Sequence, residues 1–189
     1  MTGGKGTWGR RIRQPGAMDL ISVEEVTRAL DAVIADTAWN RAARKVAQWR
    51  AGGDGIVLTN GCFDLLHPGH RAALKQAAAH GDRLVVGLNT DASVRGLKGP
   101  GRPVQPLAPR AEALEQLPEV DRVVPFDQAD PAELIRFLRP DVLAKGADYS
   151  RGDLPGAWDV ESRGGEVVFT EIVPGYSTTA LLEAGAVKR

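Results

Sequence analysis

Two histidines lie three residues apart in the segment TNGCFDLLHPGH, residues 59–70. The apolar run Ile56–Thr59 predicts a short buried strand, and the alanine-rich stretch Arg71–His80 predicts a helix. His67 and His70 therefore fall on the first helical turn, where free backbone N–H groups and the positive end of the helix dipole favour an anion. Histidines placed there can donate hydrogen bonds to phosphate oxygens, so the segment predicts a phosphate site.

The residues between the two histidines agree with this prediction. Pro68 suits a first helical turn because its absent N–H costs nothing there, and Gly69 lets a ligand approach the backbone closely. A single histidine is more often a surface residue or a hydrogen-bonded core residue. The pair in a strand-turn-helix setting favours phosphate binding over that alternative.

A second group of charges follows the next predicted strand, in the loop Leu97–Pro103. Lys98 and Arg102 lie on this loop together with four glycine and proline residues, which predicts a flexible arm that closes on a polyphosphate. A solvated loop is the alternative. Arg110 follows in a predicted helix and could face either solvent or the site.

Two later segments carry further ligand groups. In Lys145–Asp148 a glycine permits close approach, and Asp148 could bind a ribose hydroxyl, a sugar hydroxyl or a cationic side chain, or could cap a turn. The hydroxyls of residues 177–179 open the last predicted helix. They could cap that helix or hold a terminal phosphate.

The elements that must position these groups alternate between strand and helix from Ile56 onward, which predicts an α/β fold. We expect a Rossmann-like, doubly wound, five-stranded parallel sheet with an N-terminal helical extension. The predicted strands are 56–60, 84–89, 121–126, 141–145 and 166–170. The predicted helices are 68–80, 91–96, 107–117, 130–138, 155–163 and 178–184. Ligands bind such sheets beyond the carboxyl ends of the strands, where the strand order reverses.

The sequence before Ile56 divides into two parts. Residues 1–17 are basic and glycine-rich and predict a disordered tail, with Met18 a plausible alternative start and nucleic-acid or membrane binding a minority interpretation. Residues 18–55 predict a helical extension and linker, and 56–189 the main domain. An apolar stripe in the extension continues through Ala42, Val46 and Trp49, and packing on the domain or on a second subunit would equally explain it.

Composition narrows the function class. The chain has 189 residues and a formal net charge of zero, with basic residues scattered among acids, so we expect no nucleic-acid surface in the main domain. No apolar stretch approaches the roughly 18 residues of a membrane helix, and we expect a cytoplasmic protein without membrane contact. Cys62 is the single cysteine, which excludes an intramolecular disulfide. We interpret it as a small packing residue.

These motifs resemble the HxGH nucleotidyltransferases, a cytidylyltransferase-like family whose two histidines contact nucleotide phosphates. The resemblance covers about 56–184 and is greatest to the adenylyltransferases of D-glycero-β-D-manno-heptose 1-phosphate, which occur alone or as the C-terminal half of a bifunctional heptose kinase. It rests on TNGCFDLLHPGH, LNTDASVRGLKGPGRPVQPL leading to Arg110, LEQLPEVDRVVPF, KGADY and YSTTALL. The 55 residues before Ile56 are too few for a sugar-kinase domain. The arginine that precedes Ser-Thr-Thr in many cytidylyltransferases is absent, which weakens a cytidylyl assignment.

The resemblance implies adenylyl transfer from ATP to a heptose 1-phosphate, giving ADP-heptose and pyrophosphate. Mg²⁺ would arrive with ATP, no metal site is expected in the protein itself, and a homodimer is expected. Nucleotidyl transfer from CTP or another nucleotide to a different sugar or polyol phosphate is one alternative. A nucleotide-binding module without turnover is another.

The resemblance also implies roles for individual residues. Catalytic roles fall to His67, His70 and Lys98. Nucleotide contacts are expected from Thr59, Asn60, Gly61, Cys62, Phe63, His67, His70, Arg110, Lys145, Gly146, Asp148, Ser177, Thr178 and Thr179. Substrate contacts are expected from Asp64, Asn89, Asp91, Lys98 and Arg102.

Overall fold

Five parallel strands form one sheet, as the sequence predicts. They are β1 (Ile56–Gly61), β2 (Arg83–Asn89), β3 (Arg122–Phe126), β4 (Val142–Gly146) and β5 (Glu166–Thr170). The strand order is β3-β2-β1-β4-β5, so the order reverses between β1 and β4. The predicted strand limits agree with the observed ones within one residue. The doubly wound Rossmann-like fold is confirmed.

The computed structural model describes residues 37–147, 149–150, 152 and 154–171. Contacts divide the chain between Thr37 and Ala38, and the sheet belongs to the unit that begins at Ala38. The predicted helix 178–184 and the predicted tail 1–17 lie outside the described residues, as does the part of the extension before Thr37.

Six helices connect or cover the described strands. They are α1 (Ala38–Ala51), α2 (Pro68–Ala78), α3 (Asp91–Lys98), α4 (Leu107–Glu115), α5 (Ala132–Leu138) and α6 (Ala157–Glu161). Helix α6 is shorter than the predicted 155–163 because Gly156 adopts a positive φ of 83° just before it and residues 162–164 form a turn. Helices α2 and α3 begin at side-chain caps from His67 and Thr90.

Apolar residues cover both faces of the sheet, in keeping with the apolar run Ile56–Leu58 in β1 and the mostly apolar β2. One face packs against α1, α5 and α6 through residues such as Trp49, Leu134 and Val160. The other packs against α2 and α4 through Leu74 and Leu114. The strand pairing fixes the register, and the two apolar layers hold the sheet between them.

Helix α1 belongs to this core. Ala42, Val46 and Trp49 are buried among side chains of the sheet and of α5, and the Trp39 indole donates a hydrogen bond to the Pro125 carbonyl at 2.8 Å. Packing on the domain therefore accounts for this part of the stripe. None of the described helices is long and apolar enough to span a bilayer.

Candidate functional site

A cavity of about 530 Å³ opens where the carboxyl ends of β1 and β4 meet. This is the point at which the strand order reverses, where open α/β sheets bind ligands. Eleven of the predicted site residues line it: Thr59, Asn60, Gly61, Cys62, Phe63, Asp64, His70, Asn89, Lys98, Lys145 and Gly146. Predicted residues as far apart in sequence as Thr59 and Gly146 thus converge on one site.

The two histidines form a stacked pair at the start of α2. The ring centroids of His67 and His70 lie 3.7 Å apart, and the ring planes are 19° from parallel. His67 is the N-cap residue, and its Nδ1 accepts the backbone N–H of His70 at 3.2 Å. The Phe63 ring meets the His70 ring edge-on at 5.1 Å. The His70 ring borders the cavity and is held from two sides.

The surroundings of the pair favour neutral imidazoles. Burial, together with the smaller effects of His67 and Lys98, lowers the pKa of His70 to about 4, against an opposing backbone hydrogen bond with Leu65. Burial also lowers the pKa of His67. These shifts favour neutral imidazoles at neutral pH, and a neutral imidazole still provides one N–H donor.

Two lysines bring positive charge to the cavity wall. Lys98 ends α3 and is exposed, and its charge is near enough to act on the pKa of His70. Lys145 is buried, and its Nζ donates to the Asn60 carbonyl at 3.2 Å and lies 4.5 Å from the centre of the Tyr149 ring. A polyanion in the cavity would meet both ammonium groups.

An unpaired acceptor also lies at the cavity. Asn60 Oδ1 is buried and has no hydrogen-bond partner among the described residues. A buried polar atom without a partner costs roughly 1–3 kcal/mol. A ligand N–H or O–H group would remove that cost.

The two predicted arginines are held by protein acceptors instead of lining the cavity. Arg102 Nε donates to Asp64 Oδ2 at 2.5 Å. The Arg110 side chain is completely buried and donates to three backbone carbonyls and to the carboxylate of Asp91. The resemblance implies ligand contacts for both arginines, whereas the contacts seen here lie within the protein. The physical reason is that the Arg110 guanidinium has one carboxylate and three backbone partners, and Arg102 Nε has the Asp64 carboxylate, although Arg102 Nη2 is buried without a partner among the described residues.

Asn89 of the cavity wall, Asp91 and four residues outside the described part of the chain complete the predicted set. Asn89 is buried and donates from Nδ2 to Ser93 Oγ at 2.9 Å, which anchors the start of α3 beside the cavity. Asp91 is occupied by Arg110. Asp148, Ser177, Thr178 and Thr179 lie outside the described residues.

Other cavity residues were not predicted. Tyr149 lies after β4, and Thr170 is the last residue of β5. Residues 129–131 belong to the loop after β3. The Thr170 hydroxyl donates to the Lys145 carbonyl at 3.2 Å. Applying the carboxyl-end rule to every strand, and not only to those followed by charged motifs, would have found these segments.

A resident metal does not fit the described part of the site. Among the described residues no group of three or more His, Cys, Asp or Glu side chains could hold an ion. Asp64, which lies on the cavity wall and within the segment 59–70, already accepts three hydrogen bonds. A divalent cation would need oxygen ligands from a bound phosphate.

Known proteins match most of this chain. The "Bifunctional protein HldE" of Gluconobacter oxydans is 50% identical over 166 residues, which are 86% of this chain and 35% of that protein. The "Bifunctional protein HldE" of Acidiphilium cryptum is 51% identical over 176 residues, which are 93% of this chain and 35% of that protein. The chain thus spans about a third of the length of these curated relatives.

A solved structure has the same fold. The crystal structure of the lipopolysaccharide core biosynthesis protein from Thermoplasma volcanium superposes with a TM-score of 0.54 at 27% identity, covering 64% of this chain and 98% of that one. The family model described as "Cytidylyltransferase-like" matches residues 58–183, a range that contains both the histidine pair and the cavity. The resemblance seen in the sequence is confirmed, and the chain belongs to the cytidylyltransferase-like family.

Proposed function

We propose that this chain transfers the adenylyl group of ATP to a heptose 1-phosphate, giving ADP-heptose and pyrophosphate. The observation that carries the proposal is the neutral, stacked pair of His67 and His70 at a helix start beside the cavity. Membership of the cytidylyltransferase-like family supports nucleotidyl transfer. The "Bifunctional protein HldE" relatives and the lipopolysaccharide core biosynthesis protein support a sugar substrate.

The reaction needs no protein nucleophile. An oxygen of the sugar 1-phosphate attacks the α-phosphorus of ATP in line, and the bond from that phosphorus to the oxygen bridging to the β-phosphorus breaks. Pyrophosphate leaves with the electron pair of that bond. A phosphate monoester is already ionised near neutral pH, so the protein contributes positioning and stabilisation of charge.

The residues around the cavity divide this work. His67 and His70 donate N–H groups to the phosphate that is transferred, and Lys98 and Lys145 balance the charge of the polyphosphate. The backbone of residues 59–63 and of Gly146 frames the nucleotide, and Asn60 Oδ1 accepts a hydrogen bond from it. The proposed contacts of residues 177–179 with the outer phosphates, and that of Asp148, rest on the sequence resemblance alone.

Mg²⁺ belongs to this proposal as the companion of ATP. It supplies neutralisation of phosphate charge when bound. The described carboxylates do not form a site for it, so its ligands would be mainly phosphate oxygens and water.

A grid of nucleotides and acceptors tests the proposal. ATP and CTP are each incubated with heptose 1-phosphate, other sugar 1-phosphates and glycerol phosphate, and pyrophosphate release and product mass are measured. We expect turnover with ATP and heptose 1-phosphate. Turnover only with CTP would replace the proposal with cytidylyl transfer, and nucleotide binding without product from any acceptor would indicate a non-catalytic module.

We also infer a homodimer that acts in the cytoplasm. The family resemblance supports the dimer, and the dependence on ATP and the single cysteine support the compartment. Light scattering of the full chain should give twice the 20.2 kDa chain mass. The mass of a single chain would contradict the dimer.

A further inference from the structure

A buried carboxylate joins the histidine segment to the loop that follows α3. The side chain of Asp64 has no solvent exposure. It accepts hydrogen bonds from Arg102 Nε at 2.5 Å, from the Val104 N–H at 2.7 Å and from the Gln105 N–H at 3.1 Å. The segment that precedes the histidines therefore fixes the path of residues 102–105.

A buried guanidinium holds the same loop from the other side. Arg110 Nε donates to the Gln105 carbonyl at 3.0 Å. Its Nη1 donates to the carbonyls of Cys62 at 2.6 Å and Asn89 at 2.9 Å, and its Nη2 donates to Asp91 Oδ1 at 2.7 Å. Both backbone groups of Gln105 are thus occupied, the N–H by Asp64 and the carbonyl by Arg110.

The contact of Arg110 with the Cys62 carbonyl lies next to the residue that packs on His70. Cys62, whose carbonyl Arg110 holds, precedes Phe63, which has a positive φ of 42° and packs its ring on His70. A non-glycine residue keeps such a backbone conformation only where the surrounding structure fixes it. Arg110 therefore constrains the turn that orients the His70 ring.

The same network limits the freedom of Lys98. Residues 102–105 are fixed by Asp64 and Arg110, and α3 ends at Lys98. The connection between them contains Gly99 and Gly101, which have φ values of 85° and 87° and open space around their Cα atoms. Motion of Lys98 relative to the histidines is therefore confined to a short glycine hinge between two anchored ends.

We propose that Asp64 and Arg110 are positioning residues that together hold the turn at Cys62 and the loop at Gln105, so that His70 and Lys98 face one another across the bound phosphates. Neither side chain needs to touch the substrate. Hydrophobic residues could stabilise the fold equally well, but they could not hydrogen-bond the five backbone groups that Asp64 and Arg110 hold. The measurements of kcat that test this proposal rest on the proposed function.

Asp64→Asn and its matched control Asp121→Asn provide the first test. Each substitution removes one charge from a carboxylate that accepts hydrogen bonds from an arginine and from backbone N–H. Asp64 does so at the carboxyl end of the strands. Asp121 accepts from Arg83 and from the Leu84 N–H at the amino end. We expect Asp64→Asn to lower kcat roughly 10- to 100-fold with a much smaller change in KM for ATP, because small displacements of catalytic groups have effects of this size. Asp121→Asn should leave kcat unchanged.

Variants of Arg110 provide the second measurement. Arg110→Lys keeps the charge and part of the hydrogen bonding, so its kcat should lie between those of Arg110→Gln and the wild type. If Arg110→Gln does not fold, Asp91→Asn weakens the same network at a side chain that is 33% exposed and should lower kcat without unfolding the protein. A purely structural role would reduce the folded fraction in each variant and leave kcat per folded molecule unchanged.

An NMR titration of the His70 imidazole distinguishes failure of this inference from failure of the proposed function, because it needs no turnover. In the wild type and in Asp121→Asn we expect a pKa of about 4. In Asp64→Asn the pKa should move towards the ordinary 6.5, as the loosened turn exposes the ring. If the His70 pKa and kcat per folded molecule of Asp64→Asn both equal those of the wild type, the positioning role is wrong.

Discussion

The two ends of the sheet use the same polar chemistry in different surroundings. At the amino end, carboxylates accept backbone N–H groups at the strand starts: Asp82 from Gly55, Asp121 from Leu84 and Asp141 from Ile56. Arg83 bridges Asp54 and Asp121, and these two hydrogen bonds raise its pKa. At the carboxyl end, Asp64 and Arg110 make the corresponding contacts with no side-chain exposure.

The polar side chains at the amino end are partly exposed, and Asp64 and Arg110 at the carboxyl end are buried. This difference distinguishes residues that stabilise the fold from residues that serve the site. Exposed ion pairs contribute little and are screened by salt, whereas buried ones must satisfy every partner and so fix geometry. Lowered histidine pKa values and an unpaired Asn60 oxygen occur beside the buried network, at the cavity. Perturbed groups of this kind concentrate at functional sites. We therefore expect changes at the carboxyl end to alter turnover and changes at the amino end to alter stability.

The largest expected effect is that of His70→Ala at the carboxyl end. Removal of a donor to the transferring phosphate should lower kcat roughly 100-fold or more, with a smaller change in the Kd of ATP measured by calorimetry. His80→Ala, which removes an exposed histidine after α2, is the control and should keep wild-type turnover. Wild-type product formation by His70→Ala would remove the histidine pair from the mechanism.

Stability should depend on pH through the same residue. The pKa of His70 is about 4 in the folded protein and about 6.5 in an unfolded chain. Between these values only the unfolded state binds the proton, so the free energy of unfolding should fall as the pH drops through this window, by at most about 3 kcal/mol. Urea unfolding of the wild type and of His70→Gln from pH 7 to pH 4 checks this. Parallel curves for the two proteins would contradict it.

Lys98→Ala should have an intermediate effect on turnover, about tenfold in kcat, or about 1.4 kcal/mol of transition-state stabilisation. Arg102 should substitute for Lys98 only poorly because its Nε is bound to Asp64. Lys75→Ala removes an exposed lysine from α2 and serves as the control. Equal pyrophosphate release by the two variants would show that the arm does not contribute.

The smallest expected effect is at the amino end. Asp121→Asn should lower the free energy of unfolding by about 1 kcal/mol, because it weakens one ion pair and one backbone hydrogen bond. Its kcat should match that of the wild type. Thermal unfolding and pyrophosphate release on the same preparation measure both quantities, and a fall in kcat would remove the distinction between the two ends.

Local patterns were sufficient to predict the strands and the histidine turn. Apolar runs such as Ile56–Leu58 are buried on both sides, and the helix start at His67 has its own signature of residue types. The sheet edge at which these groups meet follows from the general rule for parallel sheets. The family resemblance then agreed with what these patterns predict.

The partners of Arg110 and Asp64 were not predictable in this way. Arg110 binds the Cys62 carbonyl 48 positions earlier, and Asp64 binds the Val104 N–H 40 positions later. Neither contact leaves a periodic or local signal, and a charged residue on a loop or helix looks the same in sequence whether it faces a ligand or a buried carbonyl. The three-dimensional path of residues 102–105 is needed to tell these cases apart.

The most direct test of the central claim is the mass of the product formed by the wild-type protein from heptose 1-phosphate with equal concentrations of ATP and CTP. The account predicts ADP-heptose with one equivalent of pyrophosphate, and almost none from His70→Ala in the same time. CDP-heptose as the main product, or no nucleotide sugar at all, would contradict it.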